Sequence, residues 1–364
     1  MSLNTVDVEN YPSILRTKAA QVSSIFDDLG LPQATVYPSE PVHYRLRAEF
    51  RLWHEGDSAY YAMFDPAAPK IPVRVDEFAI ASQAIFKLMP ALLKAINANA
   101  VLSKRLFQVE FLSTLSGDML VSLIYHRRLD EQWEDVARTV SNELNIQIIG
   151  RSKKQKLVLD RDYVVETLTI DNVDYHYNQY EGGFTQPNGA LNATMITWAK
   201  QHAGPQQGHD LLELYCGNGN FTIPLSKQFR KVLATEISKT SVKAAHENFL
   251  LNNINNIDVL RMSSEEFTQA LNKERSFRRL AHIDLDSYTL KTVLVDPPRA
   301  GLDDGTRQLI SRFDTIIYIS CNPQTLHRDL QILTKTHAVK AFALFDQFPY
   351  THHMECGVIL EVRG

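Results

Sequence analysis

The chain has 364 residues, enough for about two domains at ~150 residues each, and its 44% hydrophobic and 22% charged content is that of a folded globular protein. Its 38 basic and 42 acidic side chains leave a formal charge of −4, which taken alone argues against a nucleic-acid partner. No apolar run nears the ~18 residues of a membrane span, and three scattered cysteines exclude a disulfide framework, a Cys-x-x-Cys zinc pair and a four-thiolate iron–sulfur site.

The segment from Met1 to Tyr11 is polar and acidic, without the basic-then-apolar order of a signal peptide, which with unpaired cysteines fits a cytoplasmic protein. Residues 13–29 predict an amphipathic helix, so residues 1–40 are expected as a helical extension. From Tyr44 to Trp53 the sequence alternates: Tyr44, Leu46, Ala48, Phe50 and Leu52 take one face, and Arg45, Arg47, Glu49 and Arg51 the other. A Glu55-Gly56-Asp57 turn joins this strand to residues 60–64. A helix at 83–98, a hairpin of 107–114 with 119–125, a helix at 131–144 and strands at 146–150 and 156–159 complete an antiparallel α+β domain over 41–175.

Beyond about Tyr175 strands and helices alternate. Strands are expected at 210–215, 231–236, 257–261, 292–296, 315–320, 340–345 and 357–362. Helices are expected at 188–202, 221–229, 238–253, 264–272, 304–312 and 323–335. Seven strands so separated predict an α/β, doubly wound, Rossmann-like open sheet over 176–364, closed by a hairpin at one edge. Residues 41–160 carry 16 basic and 14 acidic side chains, net +2, and the remainder is net −6. The front domain is therefore mildly basic, so the overall charge no longer argues against RNA.

Chemistry-bearing residues cluster where strands end. Leu211 to Phe221 runs from a strand through Cys216-Gly217-Asn218-Gly219 into a helix, and Gly217 and Gly219 let backbone approach a ligand. Glu236 ends the next strand, where an acid meets ribose hydroxyls in nucleotide-binding sheets. Thr222 stands where a dinucleotide fingerprint needs its third glycine, which leaves an ordinary strand–helix turn or a nucleoside ligand without a pyrophosphate. Asp296-Pro297-Pro298-Arg299 is a stiff loop bearing an acid and a cation, as expected beside a flat polar base. Cys321 ends a strand just before a helix opening at Pro323, whose N-terminus is expected to lower the thiol's pKa, making it a nucleophile. Cys216 and Cys356 read as structural. Glu355 is the general-base candidate. His352, His353, Glu355 and Cys356 have the wrong spacing for a tetrahedral site, so no metal is expected.

Together Gly183-Phe184-Thr185-Gln186-Pro187-Asn188, Glu213 to Asn220, Asp296 to Arg299, Ser320-Cys321-Asn322-Pro323 and His352 to Gly357 resemble, in order, the motifs of the RNA uracil-5 methyltransferase family. The front half, with Tyr44 to Arg51, resembles the members that act on tRNA. The resemblance implies S-adenosylmethionine contacts by Gln186, Tyr215, Asn220, Glu236 and Asp296, with Cys321 as nucleophile and Glu355 as base. It further implies 5-methyluridine formation in the tRNA T-loop. The thiolate adds to carbon 6 of uracil, carbon 5 takes the methyl group, and the base removes the carbon 5 proton. Ribosomal-RNA members commonly hold an iron–sulfur cluster through four cysteines, and three cysteines favour tRNA. Other RNAs with a T-loop-like fold remain possible partners.

The target base must leave its stack to meet Cys321. Candidates for the RNA contacts are Arg299 in the loop, and Arg51, Phe107 and His126 in the front domain. Phe107 alternates with Val109 and Phe111, so core burial competes with base stacking for it. A monomer is expected. A non-catalytic RNA-binding protein is disfavoured by the presence of both Cys321 and Glu355. A nicotinamide-dependent oxidoreductase is disfavoured by the missing third glycine.

Overall fold

The computed structural model describes residues 6–65, 67–206 and 208–364. In chain order the elements are α1 (Tyr11–Ser24), β1 (Thr35–Tyr37), β2 (Arg47–Glu55), β3 (Ser58–Phe64), β4 (Pro72–Arg74), α2 (Gln83–Ala98), α3 (Ala100–Ser103), β5 (Leu106–Ser113), β6 (Met119–Tyr125), α4 (Glu131–Leu144), β7 (Gln147–Ser152), β8 (Gln155–Val158), β9 (Tyr163–Ile170) and β10 (Val173–Tyr180). They continue with α5 (Gly189–Ala203), β11 (Asp210–Leu214), α6 (Thr222–Ser226), β12 (Val232–Glu236), α7 (Lys239–Leu251), β13 (Ile257–Arg261), α8 (Ser264–Leu271), β14 (Leu290–Val295), α9 (Asp304–Ile310), β15 (Thr315–Ser320), α10 (Pro323–Leu333), β16 (His337–Phe345) and β17 (Glu355–Val362). The chain divides into two units, Glu40–Thr167 with Asn178–Gly189, and Asn10–Ser39 with Leu168–Tyr177 and Ala190–Gly364.

The first unit is built on a seven-stranded sheet in the order β4-β3-β2-β5-β6-β7-β8. The alternation in β2 works as expected: Ala48, Phe50 and Leu52 are buried, while Glu49 and Arg51 are exposed. The sheet is antiparallel except for one pair, β6 with β7, which corrects the wholly antiparallel expectation. The reason is α4, a crossover helix that returns the chain to the end from which β6 started. Asp130 caps it by accepting from the Trp133 N–H at 3.0 Å, and it stops at Asn145 in the left-handed region. Trp133 is fully buried, and a Cβ at Gly150 would collide with its indole, so glycine there is what lets α4 lie on the sheet. A shift of register between Leu106 and Gln108 interrupts the β5–β6 ladder. This bulge keeps Leu106 in the core and leaves Phe107 half-buried, off the Val109–Phe111 face.

The second unit is a sheet in the order β1-β16-β17-β15-β14-β11-β12-β13. The seven strands expected are joined by an eighth, β1, which pairs in parallel with β16 through Thr35↔Ala343, Val36↔Leu344 and Tyr37↔Phe345. Residues 10–39, expected as a separate extension, therefore complete this unit. Its central strands are apolar on both faces, as sheets covered on both sides require. Leu212, Leu214, Leu233, Val293, Val295 and Ile316 enter one core. Leu211, Ala234, Leu294, Ile317 and Ile319 enter the other. At roughly 1.5–3 kcal/mol for each large aliphatic side chain buried, these two layers dominate the stability of the unit. The unexpected β9–β10 hairpin turns at Asp171 and Asn172, both at positive φ, and the division between the units falls within it.

Candidate active site

Parallel strands deliver the residues that follow them to one end of a sheet. β11, β12, β14 and β15 are parallel, so the Tyr215–Asn220 turn, Glu236, the loop from Asp296 and Cys321 all leave at the carboxyl end. β17 runs antiparallel to β15, so its first residue, Glu355, arrives at that same end. The last rung between them is Ser320↔Cys356, and Cys321 and Glu355 are the next residues along. The strand order β17-β15-β14-β11-β12 thus sets out Glu355, Cys321, Asp296, the glycine turn and Glu236 in sequence across the sheet.

The turn is held open by its backbone. Tyr215 has φ +65°, Gly217 +59° and Gly219 +91°, and a Cβ on Gly219 would press on Phe249 at 3.0 Å and Ile223 at 3.2 Å. Glu236 braces it, accepting from the Gly217 N–H at 3.0 Å through one oxygen and from the Ser238 N–H at 2.7 Å through the other. Each carboxylate oxygen keeps acceptor capacity for a ribose hydroxyl. The Tyr215 hydroxyl bonds Ser264 Oγ at 2.7 Å. Asn220 exchanges two amide hydrogen bonds with Asn192, at 2.8 and 2.9 Å, leaving one N–H of its side chain for a ligand. Asn192 was not legible as a site residue, because nothing local marks a helix asparagine as the partner of a residue 28 positions on.

Three acids share this end of the sheet. Burial pushes Glu213 and Glu355 each up to about 8; Thr222 opposes the shift of Glu213 and Arg299 that of Glu355, while the like charge of Asp296 adds to both. Burial pushes Asp296 up to about 7. Glu213 Oε2 is buried with no hydrogen-bond partner among the described residues. Sequence reasoning passed over Glu213 as a site residue, although an acid inside the apolar run Leu211-Leu212-Glu213-Leu214 was a signal. Cys321, half-buried, is pushed up to about 11 by burial and then by Glu355 and Asp296, with Arg299 pulling it down. The expected lowering of the thiol's pKa is therefore reversed. The helix terminus is present, with Asn322 capping α10, but burial beside two carboxyl groups outweighs it.

Arg299 is exposed, and its carbonyl accepts from Asn322 Nδ2 at 2.9 Å, tying its loop to the residue after Cys321. Farther along, the Leu302 N–H donates to Asp329 at 3.0 Å. Asp329 is fully buried and also accepts from the Tyr318 hydroxyl at 2.7 Å and from Arg307 at 2.8 Å. Cys216 and Cys356 are buried, which suits a structural role. Among the described residues no group of three His, Cys, Asp or Glu side chains is placed to hold a metal ion, and no helix is long and apolar enough to cross a membrane.

The second unit does not bring Gln186 to this set; it lies half-buried in the Asn178–Gly189 segment of the first unit. Arg51, Phe107 and His126 also belong to the first unit, and there they meet. The Phe107 and His126 rings stack with centroids 4.0 Å apart and planes 26° from parallel. The Arg51 guanidinium lies 3.8 Å from the Phe107 ring centroid. The bulge that turns Phe107 out of the core makes this stack.

The residues of the turn fit an adenosyl ligand: a glycine turn without a pyrophosphate cradle, a braced acid at the end of the second strand, and beside them one buried carboxyl oxygen, Glu213 Oε2, without a hydrogen-bond partner among the described residues. A doubly wound sheet carrying that set defines an S-adenosylmethionine-dependent methyltransferase of the Rossmann-like class. The model of the tRNA (uracil-5-)-methyltransferase family matches residues 10–363, and the chain belongs to that family. It is 53% identical over 364 residues to a tRNA/tmRNA (uracil-C(5))-methyltransferase of Aromatoleum aromaticum, covering 100% of this chain and 99% of the relative. It is 56% identical over 359 residues to the protein of that name from Saccharophagus degradans, covering 98% of each. The crystal structure of Pyrococcus abyssi tRNA (uracil-54, C5)-methyltransferase in complex with S-adenosyl-L-homocysteine superposes with a TM-score of 0.72 over 96% of this chain and 83% of that one. At 20% identity that is a likeness of fold.

Proposed function

We propose that the chain methylates carbon 5 of a uridine in the T-loop of tRNA through a covalent adduct at Cys321. The observation that carries this reading is the ladder that ends at Ser320↔Cys356, beyond which one thiol and one buried acid come next on neighbouring strands. S-adenosylmethionine would be held by Tyr215, Gly217, Asn220, Glu236 and Asp296 and would supply the methyl group, leaving as S-adenosylhomocysteine. Cys321 Sγ gives its proton to solvent, the Arg299 charge favouring the thiolate, and adds to carbon 6 of uracil, moving the ring electrons onto the enolate and making carbon 5 nucleophilic. After methylation Glu355 takes the proton from carbon 5. The carbon 5–carbon 6 double bond re-forms, and Cys321 leaves as thiolate. Arg51, Phe107 and His126 form the platform on which loop bases stack. The three free cysteines suit work in the reducing cytoplasm.

The test is incubation with methyl-labelled S-adenosylmethionine and unmodified tRNA transcripts, followed by mapping of the label. Label at a T-loop uridine is expected, and label elsewhere, or in ribosomal RNA only, refutes the assignment. The relatives' names include tmRNA beside tRNA, which favours a second reading in which other RNAs with a T-loop-like fold are also substrates. Including such an RNA in the same assay decides it.

A further inference from the structure

The parallel pairing of β6 with β7, from Leu120↔Gln147 to Ile124↔Arg151, sends whatever follows both strands to one end of the first unit's sheet. His126-Arg127-Arg128 follows β6, and Lys153-Lys154 follows β7. A concavity of about 890 Å³ forms there, lined by His126, Arg127, Arg128, Arg151, Lys153, Lys154 and four uncharged residues, with no acid in its lining. Among the described residues, Arg151 alone of its five cations is in an ion pair, with Glu181 at 2.5 Å. Arg127 is fixed by backbone carbonyls, donating to Val101 at 2.7 Å and to Lys104 and Arg128 at 3.1 Å each, which orient its charge without neutralising it.

We propose that this cleft takes the ribose-phosphate backbone of the RNA substrate; the proposal rests on the tRNA reading above. Five like charges with a single internal counterion, Glu181, favour an external polyanion. Continuity selects RNA among polyanions. His126 lines the cleft and is also the outer ring of the Arg51–Phe107–His126 stack. A flat, base-sized platform running into a row of cations matches a chain whose bases stand beside its phosphates, as an acidic peptide or a lipid surface does not. The cleft contributes affinity and register, and the stack reads the loop.

The test uses the full chain carrying Arg128→Gln, Lys153→Gln and Lys154→Gln, three exposed positions, with binding of an unmodified tRNA transcript measured over a range of salt. The variant is expected to bind about tenfold more weakly near ~0.1 M salt, with the slope of log Kd against log salt shallower by about 0.7–0.9 for each phosphate it no longer neutralises. The difference shrinks at high salt. A charge-matched control, Lys70→Gln with Lys87→Gln and Lys94→Gln on exposed positions outside the cleft, is expected to keep the wild-type slope. If the wild type binds tRNA and the cleft variant keeps both its affinity and its slope, or if the control loses as much, the cleft assignment is wrong while the tRNA reading stands. If the wild-type chain neither binds nor methylates tRNA, the tRNA reading fails first and the cleft assignment with it.

Discussion

Cys321 and Glu355 sit just past the final rung, Ser320↔Cys356, of an antiparallel ladder between two central strands. Glu355 is almost completely buried, at 6% exposure, and its charge helps push the neighbouring thiol up to about 11. The nucleophile and base proposed above, separated by 34 positions in the chain, thus share one local field, opposed by Arg299. In the proposed chemistry that field suits both: a thiol that stays protonated until it is engaged, and an acid whose proton affinity fits proton transfer near neutral pH.

Cys321→Ala is expected to abolish methyl transfer while binding of S-adenosylmethionine, measured by calorimetry, survives. Glu355→Gln is expected to turn over about 10²–10⁴-fold more slowly and to accumulate a protein–RNA adduct visible on a denaturing gel, because elimination fails. Methylated RNA released at the normal rate by either variant would overturn the proposed chemistry.

Stability and activity should respond oppositely to pH. Glu213, Asp296 and Glu355 hold their protons up to about 8, 7 and 8 when folded, against ordinary values of 4.5, 3.8 and 4.5. Between the ordinary and the raised values the folded chain binds more protons than the unfolded one, so stability falls as pH rises through this window. Urea midpoints for the chain without ligand should be lower near pH ~8.5 than near pH ~5.5. Asp296→Asn should flatten the decline. Meanwhile kcat/KM should climb with pH through about 8 as Glu355 ionises. A midpoint that rises with pH in this range contradicts the assignment of the three acids.

Phe107→Ala removes the middle of the first unit's stack. With base stacking at about 1–3 kcal/mol, tRNA affinity should fall by roughly 5- to 150-fold, while S-adenosylmethionine affinity is kept. Phe107→Tyr retains an aromatic face and should retain most of the affinity. Equal binding by Phe107→Ala and wild type would leave the stack as packing alone.

Asp329→Ala takes from the Arg307 guanidinium its one buried carboxylate, leaving it the exposed Asp304 and the Leu302 carbonyl, and releases the Leu302 N–H. Removing one partner of a buried pair costs about 3–5 kcal/mol, to be read from urea unfolding. The loop carrying Arg299 is anchored at Leu302, so kcat should drop as well. A stability loss under about 1 kcal/mol would show that the pair is screened rather than structural.

Much of the site was legible because its signals are local. Cys321, Asp296, the glycine turn and Glu236 each stand where an apolar strand ends, and an α/β alternation carries such ends to one side. What escaped depends on partners distant in the chain. The reversed shift of Cys321 comes from Glu355 and Asp296, 34 and 25 positions away, and local reasoning saw only the nearby helix terminus.

By itself the sequence determined the doubly wound architecture, the front domain's alternating strands and the chemical inventory, because strand period, turn chemistry and helix caps act over a few residues. Only the tertiary structure decided that residues 10–39 complete the second unit's sheet through β1. Only it decided that a bulge turns Phe107 toward His126 and Arg51, and that a parallel β6–β7 pair collects a basic end with a single internal counterion. The reason is register. Which rungs pair between distant strands is set by the burial of whole faces, and one residue of slip exchanges a core side chain for a surface one.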